Sequence, residues 1–114
     1  MTVREMVAEA QREMLPGDIS PERARHLLPR LSALISNINA EIRAADHAYN
    51  VVLLGCLKSE AKANHAKILA ECSPEYQRKR EARDAKEVVT DLIAALKYQL
   101  RSLSDEMRLG GGGH

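Results

Sequence analysis

The stretch that decides the fold begins Leu31-Ser32-Ala33-Leu34-Ile35-Ser36-Asn37-Ile38-Asn39-Ala40-Glu41-Ile42 and continues without a proline to Ala70. Along it, apolar or small residues recur in alternating steps of four and three: Leu31, Ile35, Ile38, Ile42, Ala45, Tyr49, Val52, Cys56, Ser59, Ala63, Ala66 and Ala70. At 3.6 residues per turn that spacing keeps every member on one side of a helix, the pattern of a helix packed lengthwise on a partner. Only Ser59 in the series is polar, and after Cys56 the large side chains give way to small ones.

The partner is found downstream. Cys72-Ser73-Pro74-Glu75 is a helix start, with Ser73 as N-cap, Pro74 in the first position and Glu75 in the first turn. The helix that follows has its own seam: Ala82, Lys86, Val89, Ile93, Leu96, Leu100, Leu103 and Met107. A tight break at 72–73 predicts an antiparallel hairpin of two long helices, about 30–71 and 74–108. Aligning the large residues sets Val52 against Ile93, Tyr49 against Leu96, Ala45 against Leu100 and Ile42 against Leu103. Nearer the turn, Ser59 then faces Lys86 and Ala66 faces Lys79, a thin seam whose lysines must reach outward to water.

Upstream, Thr2-Val3-Arg4-Glu5 reads as a capping box in which the Thr2 hydroxyl and the Glu5 carboxylate satisfy free amides. Val3, Met6, Val7, Ala10 and Met14 make one apolar stripe, so a short N-terminal amphipathic helix is expected. It stops at Leu15-Pro16-Gly17-Asp18. Ser20-Pro21-Glu22 starts the next helical piece, and Pro29 predicts a kink or fresh start before the long helix.

Composition agrees with an all-α chain. Phe and Trp are absent and Tyr49, Tyr76 and Tyr98 are the only aromatics, so the core must be Leu, Ile, Val, Ala and Met. The 114 residues suit one domain over 1–109, and 110–114 (four glycines and His114) has the composition of a flexible linker or tag remnant. Charged residues make up 29% of the chain but the net charge is only +1, so no global field steers it toward nucleic acid. With no apolar run of about 18 residues and no secretory segment at the N-terminus, a cytoplasmic protein with no membrane partner is expected. Cys56 and Cys72, if on one helix, stand about 24 Å apart, beyond bridging distance, and are expected as reduced thiols.

Val51-Val52-Leu53-Leu54-Gly55-Cys56-Leu57 is apolar on every side of its helix, more than one partner helix covers. Two arrangements answer this: a three-helix bundle closed by the N-terminal helix, or a four-helix bundle made by a second copy. Leu34, Leu54, Val88 and Leu92 exceed what the short N-terminal helix covers, which favours a homodimer. The expected protein-binding or dimer interface is Val51, Leu53, Leu54, Leu57, Val88 and Leu92.

Catalytic patterns are wanting. Glu60 and His65 are five apart and Asp46 and His47 adjacent, so neither pair projects toward a shared ion, and the two-turn spacing of His65 and Cys72 supplies only two ligands. There is no nucleophile elbow, and Gly55 alone makes no phosphate loop; its expected role is to admit a close helix. A non-enzyme without metal or cofactor is expected. Tyr49 and Tyr98 are expected to pack.

The basic residues near the turn are the better lead. Lys58, Lys62, Arg78, Lys79, Arg80 and Arg83, with Lys67 and Lys86, outnumber the acids of the same stretch by three. A cationic tip of this kind contacts phosphates without reading sequence. The plain alternative is that Arg78 and Lys79 pair with Glu75, and Arg80 with Asp84, as helix neighbours.

The segment Ser73-Pro74-Glu75-Tyr76 through Arg80-Glu81-Ala82-Arg83, with Val88-Val89-Thr90-Asp91-Leu92-Ile93-Ala94-Ala95-Leu96-Lys97-Tyr98-Gln99-Leu100-Arg101-Ser102-Leu103, resembles small helical proteins of tailed phages and prophages, particularly of actinobacterial hosts. Leu28-Pro29-Arg30-Leu31 and Ala45-Asp46-His47-Ala48-Tyr49 extend the likeness over roughly 27–109. The resemblance implies a small phage protein that binds and modulates another protein. The expectation is therefore a non-enzymatic interaction protein that inhibits or recruits its target. A nucleic-acid-binding accessory using the basic tip and a virion structural component are the alternatives.

Overall fold

The computed structural model describes residues 2–14 and 19–112, with side chains as far as residue 106. The turn expected at Leu15-Pro16-Gly17-Asp18 lies outside the described residues, as does the side chain of Met107. The described residues form four helices: α1 (Val3–Met14), α2 (Pro21–Ser59), α3 (Ala63–Glu71) and α4 (Pro74–Gly112). The fold is all-α, with no strand among the described residues.

Helix starts follow the local chemistry. The Glu5 N–H donates to Thr2 Oγ1 at 3.1 Å and the Arg23 N–H to Ser20 Oγ at 3.2 Å. The Tyr76 N–H donates to Ser73 Oγ, also at 3.2 Å, which caps α4 ahead of Pro74. The described residues include no return bond from the Glu5 carboxylate, so the N-terminal device is a single cap rather than a reciprocal box.

Two features of α2 depart from the sequence reading. Pro29 does not start a fresh helix: α2 is continuous from Pro21 to Ser59. An interior proline costs about 3 kcal/mol. Here it is offset because Leu27 and Leu31, on either side of it, are both buried while Pro29 is exposed. Arg25, whose carbonyl loses its donor, is an exposed residue too.

The second departure moves the hairpin turn. The long helix stops at Ser59, with Glu60 and Lys62 in extended conformations, and α3 returns along α2. Ala66 and Ala70, both fully buried, make the return possible because methyl side chains let the two backbones approach closely. Cys72 and Ser73 are only a joint within the returning arm, which α4 continues. That arm of α3 and α4 sets the 77 Å length of the molecule, against 26 and 21 Å across.

Turning early slides the register. Tyr49 does not meet Leu96; its ring lies 5.3 Å from that of Tyr76, with Lys79 Nζ 4.5 Å from its centre. Ala66 packs back on α2 and does not face Lys79. The buried positions recur every seven residues on each arm, Leu31, Ile38 and Ala45 on α2 with Ala82, Val89 and Leu96 on α4. The antiparallel run sets Ala45 level with Ala82, Ile38 with Val89 and Leu31 with Leu96. Val52, expected against Ile93, instead lies beside α3.

The α1 helix lies in the groove between α2 and α4, with Val7 buried and Val3, Met6, Ala10 and Met14 packed on the main core of Ile19, Leu27, Leu31, Leu34, Ile38, Val89 and Leu96. One chain thus forms a three-helix bundle at one end and a bare two-armed hairpin at the other. At the C-terminus α4 runs through Gly110, Gly111 and Gly112, where a free linker is expected. No proline or capping residue stands ahead of these glycines to stop the helix.

Ile38 is fully buried at the centre of the bundle, so Ile38→Ala is expected to lower the unfolding free energy by about 2–5 kcal/mol, checked by denaturant titration with an unchanged slope. Leu57→Ala, at an exposed position in the same helix, is expected to change it by no more than about 0.5 kcal/mol.

Candidate interaction surface

The apolar surface that the bundle leaves uncovered gathers at the hairpin tip. Val51, Leu54 and Leu57 of α2 are 57%, 54% and 44% exposed, and Ile68 and Leu69 of α3 are 58% and 50% exposed. Large apolar residues about half in water on two neighbouring helices mark an interaction site more often than a single exposed leucine does.

The expected interface residues are divided by the fold. Val51, Leu54 and Leu57 are exposed together, and Leu53 is half-buried beside them. Val88 and Leu92 are partly buried and pack against the bundle core, where α1 lies over Val88 through Val7. Leu34 is buried in the same core. Ile68 and Leu69 belong to the surface but were not among the expected residues. The available signal was a pair of large side chains amid the alanines of the second half of the seam.

Tyr98, expected to pack, is 72% exposed on α4, whereas Tyr49 is buried. Gly55, expected at a close helix approach, is exposed, and a methyl group built on it meets nothing within 4 Å. Within this chain nothing requires a glycine there.

The basic residues are in part already engaged, and across the hairpin rather than along one helix. The Arg78 guanidinium binds the Glu41 carboxylate, and that hydrogen bond chiefly raises the Arg78 pKa above its ordinary value. Arg83 Nη2 lies 2.9 Å from Asp46 Oδ2, while Asp46 Oδ1 is buried with no partner of its own. Lys79 is held over the Tyr49 ring as a cation–π contact. The expected pairings of Arg78 and Lys79 with Glu75, and of Arg80 with Asp84, are not formed. Lys58, Lys62 and Arg80 are exposed, and the ion pairs among the described residues do not include them.

The tip therefore has an apolar outer face, a few free cations, and a junction where α2, α3 and α4 meet at Tyr49. Burial pushes the Tyr49 hydroxyl pKa up, and the neighbouring Glu71 carboxylate adds to it. Cys56 is half-buried on α2 and Cys72 exposed at the joint between α3 and α4, and both are free. Among the described residues no three His, Cys, Asp or Glu side chains converge as a metal ion requires, and no helix is long and apolar enough to cross a membrane. Comparison with protein-family models, curated proteins and solved structures finds no match to this chain.

The raised Tyr49 pKa has a definite linkage consequence. Below the unfolded-state value, near pH 10, tyrosine is neutral in both states and the stabilisation is fully present; it is lost as pH rises through the higher folded value. Thermal melts of the wild type are expected to fall more steeply above about pH 10 than those of Tyr49→Phe. Gly55→Ala is expected to raise the stability of the isolated chain by about 1 kcal/mol, measured by denaturant titration, because the position is mid-helix with open space around it.

Proposed function

We propose that this chain is a non-enzymatic interaction protein whose hairpin tip docks onto another protein, and thereby inhibits or recruits it. The observation that carries the reading is the cluster of exposed Val51, Leu54, Leu57, Ile68 and Leu69 on two adjacent helices. Burying such side chains supplies most of the free energy of association, and a preformed helical face loses little entropy on binding. The amphipathic surface suits a partner that offers an apolar groove or helix face of its own. The likeness to small phage proteins supports a partner of phage or host origin, met in the cytoplasm.

A second reading, a nucleic-acid accessory, has the exposed Lys58, Lys62 and Arg80 in its favour. Arg78, Lys79 and Arg83 support it less, since Glu41, Tyr49 and Asp46 already hold them.

The test is capture from a host lysate by the wild type and by the double variant Leu54→Glu/Ile68→Glu. Both positions are exposed, so the variant is expected to keep the helical melt of the wild type while losing the captured protein. Recovery of the same proteins by both would overturn the tip as the docking surface. Capture that disappears with nuclease, weakens with salt and is abolished by Lys58→Glu/Lys62→Glu/Arg80→Glu would favour the nucleic-acid reading instead.

A further inference from the structure

We propose that the turn at residues 60–62 is a hinge, and that opening it lets two copies of the chain exchange their returning arms. In the exchanged dimer α2 and α3 of each copy are one straight helix, and each α4 lies on the α2 of the other copy. This goes beyond the docking of a foreign protein and concerns the turn between the two helices of the tip rather than their apolar outer faces.

The first observation is a conflict between sequence and conformation at the turn. Glu60, Ala61 and Lys62 are strong helix formers, and neither glycine nor proline occurs between Gly55 and Pro74. Yet Glu60 has φ −104° and ψ 140°, and Lys62 has φ −116° and ψ 131°, both extended. Ser20 and Ser73 cap their helices with hydroxyl groups, whereas Lys62 stands at the start of α3 with no side-chain cap. Straightening residues 60–62 would give the end carbonyls of α2 and the first amides of α3 their partners within one helix.

Sequence pattern supplies the second. Val52, Cys56, Ser59, Ala63, Ala66 and Ala70 keep the alternation of four and three through the turn, so straightening leaves them on a single face. A break that ended one helix for good would have no need to preserve the phase of the next.

Symmetry supplies the third. Because α3 folds back on α2 about Ala61, residues equally distant from Ala61 stand level: Ser59 with Ala63, Cys56 with Ala66 and Val52 with Ala70. Two straight copies related by a two-fold axis through Ala61 remake each of those contacts between chains. The same exchange restores Glu41 to Arg78, Asp46 to Arg83 and Tyr49 to Tyr76, each now between copies. A swapped dimer loses no native contact except the turn itself, and mass action decides its population.

Ala61→Pro separates the two states. Its predecessor Glu60 already has the extended conformation that a residue before proline prefers, and the Ala61 N–H makes none of the backbone bonds of the turns and caps. Proline therefore asks no change of Glu60 and removes no hydrogen bond of the folded-back turn, and it is excluded from the straight helix.

Wild type refolded at millimolar concentration is expected to give monomer and dimer that stay separate by light scattering after dilution, and Ala61→Pro only monomer. In a Cys56→Ser/Cys72→Ser background, a chain with Leu57→Cys and another with His65→Cys, exposed positions equally distant from Ala61, are expected to be joined by a short bis-maleimide only after refolding together. Wild type that remains monomeric under these conditions would overturn the proposal. So would a dimer that persists in Ala61→Pro, or one without the cross-link, because both describe copies packed side by side. Should Ala61→Pro fail to fold, Ala61→Gly weakens the straight helix without fixing φ and is expected to lower the dimer fraction; an unchanged fraction counts against the hinge. Ala61→Pro leaves Val51, Leu54 and Ile68 in place, so loss of the dimer leaves protein capture by the tip unaffected and the two readings fail separately.

Discussion

The contact of Ala66 and Ala70 with α2 is the constraint on which the rest of the structure depends. Helices are stiff rods, so where the chain turns fixes which residues of the two arms lie level along their whole length. A turn at residues 60–62 requires α3 to lie close on α2, and only small side chains on the facing side permit it. Once α3 is seated, Tyr76 and Lys79 arrive at Tyr49, Arg83 at Asp46 and Val89 at Ile38. Two alanines without any polar group thereby determine the partners of Arg78, Lys79 and Arg83.

The same constraint divides the molecule into unequal ends. Where α1 is present, three helices surround leucine, isoleucine and valine, and the burial of each large side chain contributes on the order of 2 kcal/mol. At the tip the buried residues are Ala45, Ala66, Ala70 and Ala82 with Tyr49, and alanine contributes far less area. The leucines and valines of that end point outward instead, because α1 is too short to reach them. Weak internal packing and an apolar exterior thus have one cause, and together they describe an end whose stability and surface both depend on what else binds there.

The seam from Leu31 to Ala70 and the caps at Ser20 and Ser73 made the helices legible, since each rests on residues near one another in the chain. The turn was not legible, because glutamate, alanine and lysine carry no turn signal and Ser73-Pro74 carries a strong one. Local chemistry therefore pointed to the joint of the returning arm rather than to the turn, and the register followed it. At Pro29 the fresh start does not occur for a related reason: its local cost is real, but Leu27 and Leu31 are buried on either side and the helix runs on through it. Of the candidate surface, Val51, Leu54 and Leu57 were legible as a run apolar on every side. Val88 and Leu92 required knowing where α1 lies, and Ile68 and Leu69 required knowing that α3 is a separate helix with an outer face.

For the proposed docking role, the electrostatics of the tip weigh toward a protein rather than a nucleic acid, for a reason that the count of charges conceals. A phosphate backbone is held by cations that are free to exchange small counterions for it. Arg78 and Arg83 have exchanged theirs for Glu41 and Asp46, and the orphaned second oxygen of Asp46 would be left without compensation if Arg83 turned away. Lys79 is bound to an aromatic face that would be bared by its departure. Recruiting these three for phosphates would undo the contacts that keep the two arms in register. The apolar residues carry no such obligation: Leu54 and Ile68 satisfy nothing within the chain, so a partner that covers them gains their burial and disturbs nothing else.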